Sequence, residues 1–184
     1  MKELIKRNIN GRKVLLLFIL TNIVYVIMLT ITIPKVMSYS GGMNLPDMMP
    51  AGYDAEYIRS LFNSLGEKGR NAYLFIQLPV DMIYPLLFGI SYCLVLAYFL
   101  NKLGKTESPL FNLCFLPLFA GLFDYLENFG IIAMLNSYPG NSVILTQVTN
   151  VFSVLKSLLT TIYFVVLIIC FILFVIRKFF QKSK

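Results

Sequence analysis

"PLFNLCFLPLFAGLFDYLENFGIIAML", Pro109 to Leu135, is the stretch on which the fold turns. A helix needs ~20 apolar residues to cross ~30 Å of hydrocarbon, and this run exceeds that. Yet Asp124, Glu127 and Asn128 lie inside it, spaced i, i+3 and i+4, so a helix projects all three to one side. An ionisable group in a spanning helix costs roughly 2.5–3.5 kcal/mol on insertion scales. That side cannot face lipid cheaply. The segment therefore belongs in a bundle whose other members cover it.

The rest of the chain supplies those members. Apolar segments at about 14–33, 72–100 and 143–176 join 109–135 to make four candidate spans. Over 184 residues, 58% are hydrophobic and the mean hydropathy is +0.75, too apolar for an ordinary soluble domain. The expected fold is all-α: a single polytopic membrane four-helix bundle. The first apolar run is too long for a signal peptide, and no small-residue cleavage pattern follows it, so it is expected to be a retained anchor.

Charge sets the expected direction. The net charge is +7, and the basic residues gather at segment ends: Lys2, Lys6, Arg7, Arg12 and Lys13 before the first span, Lys102 and Lys105 between the second and third, Arg177, Lys178, Lys182 and Lys184 after the fourth. The turn 136–142 carries no charge. Positive residues accumulate on the cytoplasmic side, so both termini are expected there. This distribution argues for membrane topology and against nucleic-acid binding. There is no His, which removes the usual general base and the commonest metal ligand. Cys93, Cys114 and Cys170 lie in apolar segments without CxxC spacing and read as buried thiols. No metal or cofactor is expected.

Residues 34–71 then form an extracytoplasmic loop. Gly41, Gly42, Pro46 and Pro50 mark irregular chain. After it, Tyr57, Ile58, Leu61, Phe62 and Leu65 recur at helical spacing, with Asp54 placed to cap and Gly66 to terminate. The expectation is a short amphipathic helix on the outer face of the bundle; a helix resting on lipid headgroups is the alternative.

Depth links the polar groups. At ~1.5 Å per residue from the inner boundary, Asp81 lies ~30 Å up, Asp124 ~24 Å, Glu127 ~28 Å and Lys156 ~31 Å. Each is part of a polar stripe: Gln77, Asp81 and Tyr84 on the second span, Asp124, Glu127 and Asn128 on the third, Thr149, Asn150, Ser153, Lys156, Ser157 and Thr160 on the fourth. Such stripes turn inward. An outward-facing polar pocket is therefore expected beneath the loop helix, with Asp81, Tyr84, Asp124, Glu127, Asn128, Asn150, Ser153 and Lys156 as candidate ligand contacts. Pro85 cannot donate to the Asp81 carbonyl and leaves it free; Pro117 does the same to Leu113 and predicts a second kink. Three carboxyls against one ammonium leave excess negative charge, which calls for a proton, a cation or water.

Several functions fit such a pocket. The first is binding of a small amphiphile or cation. The second is acid/base chemistry on a lipid or isoprenoid substrate, with Asp124 and Glu127 as the catalytic candidates. Ion-coupled transport is disfavoured by the apolar inner half. The fourth is a structural or interaction subunit in which the acids and Lys156 are a buried ion pair. The bilayer is the expected partner, and an oligomer stays open.

"YLFIQLPVDMIYPLLFGISY" followed by "LFDYLENFGI" resembles a family of uncharacterised bacterial four-span membrane proteins, over about Tyr53 to Lys156. The resemblance implies a multi-pass protein of the bacterial plasma membrane and a site at Asp81, Pro85, Asp124, Glu127, Asn128 and Lys156. A more distant architectural likeness is to the EXPERA group of sterol isomerases and sigma-2-receptor-like proteins, four helices around a pocket with paired acids. There the acids shuttle a proton and stabilise a carbocation, which would place Glu127 and Asp124 in those parts with Asp81 assisting.

Overall fold

The structure is a computed structural model and describes residues 1–140 and 142–182. A short helix, α1 (Lys2–Arg7), precedes α2 (Gly11–Ile27), whose first turn is capped by Asn10 accepting from the Arg12 and Lys13 N–H groups. A π-helical turn, Met28–Thr32, carries α2 into α3 (Ile33–Met37). Irregular chain with a 3₁₀ turn at Pro46–Met48 leads to α4 (Ala55–Ala72). A second π turn, Tyr73–Gln77, then joins α5 (Leu78–Asp81), and after a two-residue break α6 (Tyr84–Lys102) follows. A 3₁₀ stretch, Pro109–Phe115, opens α7 (Leu116–Ser137), and α8 (Val143–Lys182) is the last helix. Four stretches are long and apolar enough to cross a membrane: Gly11–Met37, Ala55–Lys102, Pro109–Ser137 and Val143–Phe180. Among the described residues there is no strand.

Helix α6 is the hub. It packs on α2, α7 and α8, while α7 and α8 lie along one another. The α2 span and α8 make no comparable contact, so one side of the bundle is not closed by helix against helix. Small residues set the tight approaches. A Cβ on Gly130 would clash with Thr149 Oγ1, and one on Gly121 would lie 2.7 Å from the Pro85 carbonyl oxygen. Lys6 reaches Glu107, and the Arg177 guanidinium donates to the Lys102 carbonyl, which marks the end of the bundle that carries the chain termini.

At the opposite end α4 starts on Asp54, whose carboxylate accepts from Tyr57 N at 2.7 Å. Gly66 adopts φ 59 and ψ −173, which breaks the helix there. Arg70 spans the break: its guanidinium donates to the Phe62 carbonyl at 2.8 Å and lies over the Tyr138 ring. The apolar face, Ile58, Leu61, Phe62 and Leu65, is buried against Val36, Leu45, Ile131 and Met134. That face is turned into protein, not onto headgroups. Beyond Gly66 the chain does not return to loop but is already helical into the second span.

Pro117 does not kink a helix as its spacing suggested. It stands in the first turn of α7, where no intrahelical N–H is needed, and marks the change from 3₁₀ to α geometry. Pro85 likewise stands in the first turn of α6.

Two apolar cores result. One lies toward the termini and includes Leu94, Leu96, Phe111, Tyr163 and the three cysteines. The other lies at the α4 end. Between them on every long span sits a polar band, and Tyr84 packs against both cores. Asn150 ties the loop to the bundle: its Oδ1 accepts from Tyr53 N at 2.8 Å, directly where Gly52 (φ +94) approaches α8. Asn150→Ala should cost about 1 kcal/mol, since a buried backbone donor loses its partner. Amide hydrogen exchange in the 45–54 segment should quicken while α6 and α7 stay protected; an unchanged loop would contradict this docking role.

A carboxylate cluster beside a cavity between the spans

Lys156 organises the polar band. Its ammonium donates to Asp124 Oδ1 at 3.1 Å and pairs with Glu127 Oε2. Both acids come from one side of α7, and the lysine comes from α8. Glu127 is fully buried, and its Oε1 has no protein partner. One residue on, the Asn128 amide donates to the Asp81 carbonyl at 3.3 Å. That carbonyl is the one Pro85 leaves without a helical donor, so the break between α5 and α6 is held by α7. The Asp81 side chain is 3% exposed and its Oδ2 is unpartnered. Nearby, the two π turns meet, the Thr32 hydroxyl donating to Gln77 Oε1. Such turns are over-represented at functional sites because they bulge the helix and re-aim its side chains.

A cavity of about 340 Å³ lies beside this cluster. Asp81, Asp124 and Lys156 face it from three helices, and Tyr84 shares the wall. Toward the termini the wall is aromatic: Phe88 and Tyr92 from α6, Phe164 from α8 and Tyr25 from α2. These rings touch in sequence. Tyr25 stacks on Tyr84 at 5.5 Å, Phe88 lies tilted against Tyr92 at 4.7 Å, and Phe164 meets Tyr92 edge-on at 5.6 Å. Ser157 and Thr160 add hydroxyls from α8. No family model, curated protein or solved structure matches the chain.

The expected contacts divide. Asp81, Tyr84, Asp124 and Lys156 border the cavity. Glu127, Asn128, Ser153 and Asn150 do not. Glu127 supports Lys156 from behind, Asn128 fastens α7 to the α5–α6 break, Ser153 is buried in the same band, and Asn150 docks the loop. What covers the cavity at its polar end is not α4 but the 3₁₀ turn, through Asp47, Met48 and nearby Pro50.

Asp47 is the acid that sequence reasoning missed. It sits in "LPDMMP", read as irregular chain. An acid flanked by Leu45, Pro46, Met48 and Met49 is the one signal that could have drawn attention, because a solvated loop rarely surrounds a carboxylate with apolar residues alone. Asp47 Oδ2 accepts from the Tyr73 hydroxyl at 3.2 Å, and Oδ1 is buried without a partner. Burial pushes its carboxyl up to about 6, with Glu127 and Asp124 raising it further and Lys156 and the Tyr73 hydroxyl opposing. Asp81 also faces it.

With the loop docked, Asp47 holds its proton more tightly than with the loop released, where a value near 3.8 applies. Docking is thus favoured fully below about pH 3.8, loses that contribution as pH rises, and has lost it above about 6. Loop amide protection should fall across this window, and Asp47→Asn should flatten the dependence. A profile unaltered by Asp47→Asn would assign the effect elsewhere.

Proposed function

We propose that this is an integral membrane protein of the bacterial plasma membrane, with both termini cytoplasmic, that binds a small amphiphile or cation in a polar pocket in the outer half of the bilayer. The α4 helix and the 45–54 segment lie outside. The observation that carries the reading is the unequal charge around the cavity. Asp47, Asp81, Asp124 and Glu127 share one ammonium, Lys156. Lys156 pairs with Asp124 and Glu127, which leaves Asp81, a residue of the cavity wall, with a buried oxygen that no protein group partners. A packing device made of one ion pair needs neither the surplus acids nor an adjoining void. The volume is at the small end of ligand sites, about 300–1,000 Å³.

Binding is favoured over turnover. Acid/base chemistry with Glu127 in a leading part would need that carboxyl at the ligand, and it is held behind Lys156 away from the cavity. The orientation rests on the clusters of Lys and Arg at the end that carries the termini.

Thermal melts of the full chain in detergent, with a panel of amphiphiles and organic cations, test this. At least one class should raise the melting temperature, and Thr160→Phe, which fills the cavity from a half-buried wall position, should abolish the rise while keeping the basal melt. A panel without effect, or a rise untouched by Thr160→Phe, would count against the pocket.

A further inference from the structure

The cavity has a chemical polarity that narrows its occupant. At one end are Asp47 and Asp81, both with a buried, unpartnered carboxyl oxygen. At the other are aromatic rings. The carboxyls do not converge on a point: among the described residues no group of acids, His or Cys could hold a metal ion. The space is also far larger than a bare ion. An organic cation fits both facts, with its charge at the acids and its body against the rings, where aromatic faces favour cationic and apolar groups alike. Buried unpaired carboxylates are costly, and a charge-assisted hydrogen bond from an ammonium relieves that cost.

The walls narrow it further. On one side stand Tyr25 and Leu29 of the first span, and on the other Thr160 and Phe164 of α8. These two spans do not pack along each other, and Tyr25 and Phe164 are 41% and 37% exposed. The aromatic end of the cavity therefore faces sideways, at the level of hydrocarbon, while the 3₁₀ turn covers the polar end. Resting on the pocket reading above, we propose that the ligand is an amphiphilic amine from the bilayer, its ammonium between Asp81 and Asp47 and its single chain lying in the gap between the first and fourth spans. Lys156 and Asp124 form the fixed wall of this site, and Glu127 holds Lys156 from behind. The polar contact that distinguishes an amine from a neutral headgroup is made by Asp81.

The chain has no Trp, so Phe164→Trp provides a single reporter in the aromatic end. The probes are decylamine brominated near its chain end, the matching decanol and decanoate, and ethylamine, at pH 7 in detergent, where an alkylamine is protonated. Brominated decylamine should quench the reporter saturably and raise the melting temperature. Decanol, decanoate and ethylamine should do neither at the same concentration. Asp81→Asn should raise the half-quenching concentration by about 10- to 100-fold, the range of one charge-assisted contact; Asp47→Asn, in the loop, should also raise it and serves if Asp81→Asn does not fold. Equal responses to decylamine, decanol and decanoate would keep the amphiphile pocket and overturn the amine. A full response to ethylamine would overturn the chain's place in the gap. Quenching unchanged by both substitutions would overturn charge recognition. Absence of any response to all four probes would overturn this inference, and the pocket reading falls with it only if the wider panel is also silent.

Discussion

Lys156→Met should destabilise the protein by about 3–5 kcal/mol, the cost of stranding a buried charge. The substitution keeps the apolar stem and removes only the ammonium. Asp124 and Glu127, one turn apart on α7 and both buried, are then left without the ammonium that pairs with each of them. Melts in detergent should show a large fall in midpoint, or loss of monodisperse protein altogether. Neutralising the acids on the same background, as Lys156→Met with Asp124→Asn and Glu127→Gln, should recover most of the loss, because the two carboxylates that Lys156 pairs with are then uncharged. Lys156→Met melting like the parent would mean that the acids are protonated or solvated independently of the lysine. A triple variant no better than the single would mean that Lys156 acts through packing.

The second large effect is expected at Gly130. An alanine Cβ there would clash with Thr149 Oγ1 and would meet its Cγ2 at 2.6 Å and its Cβ at 2.8 Å. No rotation of Thr149 clears all three atoms, so α7 and α8 must separate. The expected loss is about 1–3 kcal/mol, the usual range for overpacking. Thr149→Ala removes two of the three obstacles and should restore much of the stability in the double variant. Gly121→Ala has no such remedy. Its obstacle is the Pro85 carbonyl oxygen, a backbone atom at the start of α6. If Gly130→Ala packs without loss, the close approach of α7 and α8 is not what sets their distance.

Hydropathy made the helices legible because a spanning segment must be apolar over most of its length, and no tertiary context can waive that. The site was legible only in part. Spacing placed Asp124, Glu127 and Asn128 on one side of α7, but a helix face is wide and each residue meets a different neighbour: the cavity, Lys156 and the Asp81 carbonyl. Periodicity cannot distinguish those directions. Tyr25, Phe88, Tyr92 and Phe164 carried no contrast, because everything around them is apolar too. Asp47 lay outside any periodic pattern, and its place depends on Asn150 holding Tyr53 on α8. The break after Asp81 could be read from Pro85 alone; that Asn128 would fill the vacant acceptor could not.

The lysine that balances α7 is carried by α8, the last of the four spans. A chain that enters the membrane one helix at a time would have to commit Asp124 and Glu127 to hydrocarbon before their counter-charge exists, at a cost that insertion scales put at several kcal/mol. Helix α7 ends at Ser137, α8 begins at Val143, and the two are packed along one another. They are therefore expected to insert together as a helical hairpin. The ion pair that shapes the finished wall would then also act earlier, as the condition for that wall to enter the bilayer at all. A chain ending at Ser137 should leave its third segment outside the membrane, and restoring α8 with Lys156 should bring it in.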